Sequence, residues 1–170
     1  MISKYDDLAR LFEYPDESYV QRCRDAGLNE FADEMAKLTD SGIQELFIST
    51  FDWNPATTLD MGWHLYGEQY ERGEFLVQMR AELRRYGIAE STELPDHLTH
   101  TLRLLGRMDA AAAEKFALEF TAPAVATLLA SLEQKKTPFA AAVRAVREAL
   151  PAKAEIPVLK VALPVLAGED

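Results

Sequence analysis

ELFISTFDWNPATTLDMGWHLYGEQYERGEF, residues 45–75, is the densest stretch of this chain, and its reading decides the fold. Just before its break, Ile43, Leu46, Phe47, Thr50 and Phe51 recur one helical turn apart, the stripe of a helix with one buried face. Ser41 with Gln44 forms a capping-box pattern that predicts where this helix starts. Asn54-Pro55 ends it, because proline offers no amide and its ring crowds the preceding turn. A short helix is expected between Thr57 and Gly67. From about Gln69 to Tyr86 the period returns, with Phe75, Leu76, Met79, Leu83 and Tyr86 inward and Gly87 as the stop. Arg72 falls inside that apolar stripe. A guanidinium there must meet an acid or face a cleft, since burying it alone is too costly.

The pattern extends in both directions. Tyr5, Leu8, Leu11 and Phe12 predict a first helix closed by Pro15, which also suits the opening of a second carrying Tyr19, Val20 and Cys23 and ending at Gly27. Leu28, Phe31, Met35 and Leu38 mark a third. Downstream, in Glu93-Leu94-Pro95-Asp96-His97-Leu98, Pro95 suits a first helical turn and Asp96 the positive end of its dipole; Leu98, Leu102 and Leu105 line the inner face. Asp109 caps an alanine-rich helix with Phe116 and Phe120, which is expected to stop or kink near Pro123 before Val125, Leu128, Leu129 and Leu132 continue. Thr137-Pro138 opens a last helix through Phe139, Val143, Val146 and Leu150. No period-2 strand pattern interrupts this series. The fold class predicted is all-α: a single-domain helical bundle of roughly seven to ten helices over 1–151. An apolar tail over 152–170, AEIPVLKVALPVLAGED at its heart, is expected to be extended because Pro157 and Pro164 break it.

Lys and Arg number 18 against 28 Asp and Glu, a formal net charge of -10. That sign repels phosphate backbones and anionic lipid heads, so nucleic acid is not an expected partner, whereas a basic peptide would be attracted. No run of the sequence approaches the ~20 apolar residues of a membrane span, so membrane insertion is not expected either. The opening residues lack a signal-peptide build and the single Cys23 cannot form an internal disulfide, so the expected address is the cytoplasm.

Catalytic signatures are absent: the sequence holds no phosphate loop, no G-x-G-x-x-G, no H-E-x-x-H and no G-x-S-x-G. His97 and His100, one turn apart beside Asp96, with His64 elsewhere, are the raw material for a metal-dependent hydrolase, one of two alternative readings. The other is a helical adaptor of no particular client. On local chemistry alone Asp96 is an exposed helix cap and His97 its solvated neighbour. Trp53, Trp63 and Tyr66, interleaved with Asp52, Asp60, Glu68 and Glu71, are harder to bury whole than plain core aromatics. Rings with polar handles suit the wall of a peptide groove with acidic rims.

The run LFISTFDWNPATTLDMGWHLYGEQYERGEFL, with ELPDHL after it and LARLFEYPDESY at the start, resembles the NarJ branch of the TorD/DmsD/NarJ chaperones, the nitrate reductase delta-type proteins that mature molybdoenzymes. The likeness covers about Leu8 to Leu105; after Arg107 the chain matches only in being helical and rich in Ala and Leu. The resemblance implies a chaperone and not an enzyme. It would bind the N-terminal segment of a molybdoenzyme catalytic subunit, often a twin-arginine leader or its remnant, and hold it for molybdenum cofactor insertion. The implied chaperone carries no cofactor of its own. It also implies a peptide site at Glu93, Pro95, Asp96 and His97, to which position adds Asp52, Trp53, Trp63, Tyr66 and Arg72. Asp96→Ala is then expected to weaken leader binding more than folding. The tail from Ile156 to Leu166 is expected to lie in this groove, or in that of a neighbouring copy within a homodimer, as a stand-in for a leader.

Overall fold

The computed structural model describes residues 3–152, and the expectations for the apolar tail lie outside the described residues. Among the described residues there are helices and no strands. The helices are α1 (Lys4–Ala9), α2 (Tyr19–Asp25), α3 (Asn29–Ala36), α4 (Asp40–Phe51), α5 (Met61–Tyr66), α6 (Tyr70–Arg85), α7 (Leu98–Arg107), α8 (Ala110–Phe116), α9 (Ala122–Lys135) and α10 (Ala140–Ala149). The all-α bundle read from the periodicity is the fold observed.

Six aromatic rings hold its first half together. Phe139, brought in from just before α10, stands edge-on to Phe51 at 5.1 Å, Phe47 at 5.6 Å and Phe31 at 5.6 Å. Tyr19 and Phe12 extend the cluster, and the buried Tyr19 hydroxyl donates to the Leu11 carbonyl at 2.8 Å. Edge-to-face pairs of this kind add about 0.5–1.5 kcal/mol each beyond the area they bury. The cluster therefore fixes the C-terminal end of α4, where the first candidate residue, Asp52, sits.

Several boundaries differ from those read in the sequence. α4 is capped by Thr39, whose hydroxyl accepts from the Gly42 amide at 3.0 Å, while Gln44 donates instead to the Pro15 carbonyl at 2.9 Å. The helix begins earlier than the Ser41 pattern implied because Thr39 already has extended backbone and a hydroxyl at hand. Pro15 does not open α2. A turn closed by the Asp16 carboxylate on the Ser18 amide at 2.8 Å intervenes. Leu38 lies beyond the end of α3 and is 41% exposed.

Pro123 does not stop its helix. α8 and α9 form one continuous helix, Ala110–Lys135, because a π-helical turn over Ala117–Thr121 absorbs the change of register, with the Ala122 amide donating to the Ala117 carbonyl. Shifting register just ahead of a proline removes the need for the amide it lacks. By length and composition this helix alone among the described ones could cross a bilayer, a test that an apolar core helix also passes. Its inner residues Val125, Leu128, Leu129 and Leu132 are given over to the core, where α9 packs on α5 and α10.

Candidate functional site

The site is built where residues 59–61 and 94–98 pass each other. The Met61 amide donates to the Asp96 carbonyl at 2.9 Å and the Leu98 amide to the Leu59 carbonyl at 2.8 Å, pairing Asp60 with His97 in an isolated antiparallel bridge. This pins the segment before α7 against the start of α5. Asp96 then turns its side chain into the protein: its Oδ2 accepts from the Gly62 amide at 2.9 Å, and the residue is 0% exposed. It is a cap, as expected, but for α5 and not for its own helix. α7 starts at Leu98 with His97 as its N-cap, the ring Nδ1 accepting from the Thr99 amide at 3.3 Å. The exposed cap and the solvated histidine are both overturned, since His97 is 7% exposed.

Arg72 meets the acids that its place in an apolar stripe demanded. Its Nη2 lies 3.5 Å from Asp96 Oδ2 and 3.6 Å from Asp60 Oδ2, with the guanidinium carbon 5.8 Å above the Trp63 ring. These contacts are long, and burial outweighs them. Desolvation lifts the Asp96 carboxyl above its ordinary range against the pull of Arg72 and the Gly62 amide. Burial, then the charge of Asp96, lifts Asp60 likewise. Gly62 is required here: a Cβ at that position would fall 2.5 Å from Asp96 Oδ2 and 3.0 Å from Phe75.

Two hollows open on either side of this corner. The first, about 360 Å³, is walled by Phe51, Pro55, Thr58 and Trp63 and edged by Asp52, Asp60 and Arg72. The second, about 370 Å³, has Phe12, Tyr14, Phe47 and Leu59 as its apolar side and Glu13, Asp52, Glu93, His97 and Arg103 as its polar side. Asp52 belongs to both. Burial raises its pKa, and burial followed by the charges of Asp60 and Asp52 raises that of Glu93. Burial, then His100, depresses His97 to about 4, so its ring is neutral at physiological pH.

The structure thus brings Asp52, Trp63 and Arg72 together in one hollow and Asp52, Glu93 and His97 in the next. Asp96 stands behind both. Pro95 is buried and lines neither. Trp53 is 74% exposed and lines neither hollow, and Tyr66 packs on Phe75 at 5.7 Å away from them. The single cleft read from sequence is two adjoining ones. Glu13 and Arg103, an ion pair joining residues 90 apart, went unread because nothing local marks a partnership across that distance.

The metal reading finds no assembled ligand set. His64 Nε2 is 2.7 Å from the Thr58 carbonyl; His100 places Nδ1 2.8 Å from the Leu94 carbonyl and accepts from the Ser91 amide at Nε2, 3.0 Å away. Among the described residues no three His, Cys, Asp or Glu side chains gather as a metal would require.

Comparison with known proteins adds the family. The chain is 28% identical over 150 residues to the nitrate reductase molybdenum cofactor assembly chaperone NarJ of Escherichia coli (strain K12), the match covering 78% of this chain and 63% of that protein. It is 29% identical over 140 residues to the probable nitrate reductase molybdenum cofactor assembly chaperone NarW of the same strain, covering 76% of this chain and 60% of the relative. It therefore spans less than two thirds of the length of these relatives. The family model for the nitrate reductase delta subunit matches residues 18–145, which takes in α2 through most of α10 and all of the site but Phe12, Glu13 and Tyr14: the chain belongs to the nitrate reductase delta subunit family.

Proposed function

We propose that this protein is an assembly chaperone for a molybdoenzyme, nitrate reductase or a relative, and that it works by binding and not by catalysis. It holds the N-terminal segment of the catalytic subunit in the cytoplasm until the molybdenum cofactor, carried by the client, has been inserted. The observation that carries this reading is the pair of hollows meeting at Asp52, each with an aromatic wall and a carboxylate edge. Together they offer an extended or helical peptide what it needs: apolar surface to bury and acceptors for its basic groups. A net charge of -10 favours encounter with a basic segment.

Calorimetry with a synthetic peptide copying the N-terminal segment of a nitrate reductase catalytic subunit tests this. Trp63, half-buried on the wall of the first hollow, is the anchor, and Trp63→Ala should weaken binding roughly 10-fold or more. Trp53, outside both hollows, should be replaceable by alanine at little cost to affinity. Equal losses from the two tryptophans would point to a surface other than these hollows.

A further inference from the structure

A third hollow, about 400 Å³, opens between α9 and the end of α10 and shares no residue with the other two. Leu118, Ala122, Pro123 and Ala126 form one side of it, Leu150, Pro151 and Ala152 the other. Arg147 is the one charged residue on its edge. The α9 side continues past the hollow as a face without charge. From Phe120 to Leu132 the sequence holds no charged residue, and Pro123, Ala126, Thr127 and Ala130 meet solvent. A surface helix ordinarily turns its charges outward, as α6 does with Glu71, Glu74, Arg80 and Arg84. An apolar face joined to an apolar hollow marks a place that something else covers.

The chain itself supplies the cover. Ala152, the last described residue, is part of the hollow's wall, so the sequence that follows starts from inside it. Residues 156–166, IPVLKVALPVL, carry seven large aliphatic side chains and a single charge, Lys160. Apolar side chains at that density are costly to leave in water. Only residues 153–155 intervene, a span of at most about 14 Å, so the segment is kept near the hollow at high effective concentration. Among those three is Glu155, opposite in charge to Arg147 on the edge. The two hollows at Asp52 are a poorer match. Edged with carboxylates, they suit a basic segment and not one nearly free of charge.

We propose that the third hollow, with the outer face of α9 beyond it, is the seat of the chain's own residues 156–166. Ala122, Ala126 and Ala130, one turn apart, leave room that valine and leucine side chains fill, while Lys160 keeps its charge in water. α9 is 14 residues long, about 21 Å, a distance that the segment can cover. The seat ties the end of α10 to α9. It lies apart from the two hollows at Asp52 and is filled whether or not they hold a peptide.

The test uses the full chain with Ala126→Cys and a maleimide added under native conditions. Cys23 is 0% exposed, so the reagent reports on position 126. Replacing Val158, Val161 and Leu163 together by aspartate should speed labelling there roughly 10-fold, because a charged segment leaves the seat more often. Glu45→Cys, exposed on α4, should label at one rate with either tail and serves as the control. A disulfide between Ala126→Cys and Val161→Cys should form within one chain, at a yield independent of protein concentration. Equal labelling rates at position 126 would overturn the proposal, and so would a disulfide that forms only between two chains, since the occupant would then be a second copy's tail. If the aspartate tail instead raises affinity for the catalytic-subunit peptide while position 126 labels as before, the segment belongs in the hollows at Asp52 and the third hollow is not its seat.

Discussion

Asp96 and Asp109 do the same job for different clients. Each places a carboxylate oxygen on the first free amides of a helix, Asp109 on Ala112 at 2.8 Å and Asp96 on Gly62 at 2.9 Å. The partner of Asp109 lies three residues ahead in its own helix, and the side chain stays in water. The partner of Asp96 lies 34 residues back, and the carboxylate is buried with Arg72 beside it. One cap ends a helix. The other fastens two segments together and in doing so shapes both hollows.

The largest expected effect follows from that difference. Asp96→Ala removes the Gly62 acceptor and leaves Arg72 with Asp60 alone in a mostly buried place. Breaking such a pair costs about 3 to 4 kcal/mol, a fall in melting temperature of roughly 10 °C for a domain of this size. Because the carboxylate never reaches solvent, loss of peptide binding in this variant should follow loss of folding, contrary to what an exposed cap would give. Thermal melts of Asp96→Ala beside Asp96→Asn check it. A variant that melts like the wild type would mean the corner is held by its backbone bridge alone.

How much of this was readable in advance depends on the range of each interaction. The apolar stripes of α4, α6 and α7 gave the helices, since three- and four-residue spacing is a local signal. Asp109 was visible as a cap for the same reason. Arg72 announced that it needed an acid, but not which one, because Asp60 and Asp96 come from segments on either side of it in the chain. Asp96 was recognised as a cap and assigned to the wrong helix: the α5 amides it serves become its neighbours only after residues 59–61 and 94–98 pair. The π turn before Pro123 was hidden too, because a proline in a helical pattern reads the same whether the helix stops or shifts register. Of the aromatics, Trp63 stood with Asp52 and Arg72 as the composition suggested. Trp53 and Tyr66 did not, since sequence proximity says nothing about which way a ring on a short connection turns.

The next effect sharpens the corner from its other residue. His97 titrates near 4 in the folded protein because burial opposes its charged form, and near 6.5 when the chain is unfolded. Between those values the unfolded chain holds a proton that the folded one lacks, so stability falls as pH falls, by on the order of 3 kcal/mol once pH reaches 4. Asp60, Asp96 and Glu93, whose pKa values are raised, push the other way in acid. The His97 contribution is therefore read as a difference: denaturant melts of the wild type and His97→Gln from pH 7 to pH 4 should show the variant gaining on the wild type by about that amount. Parallel curves would mean that His97 takes up its proton in the folded state as readily as in water.

The smallest effect belongs to Asp109, and it is the control that gives the comparison its meaning. Asp109→Ala removes an acceptor from an amide that water can reach, so the loss should be about 1 kcal/mol, the ordinary worth of a surface cap. α8 should fray at its first turn, visible as faster amide exchange at Ala112, while the hollows and peptide affinity stay as they were. Two aspartates with nearly equal hydrogen-bond lengths would then differ severalfold in what their removal does. The bond length is shared, so the difference must come from what else each carboxylate holds: nothing for Asp109, and Arg72 with the junction of α5 and α7 for Asp96. Should Asp109→Ala prove as damaging as Asp96→Ala, burial and the Arg72 pair would not be what sets the corner apart.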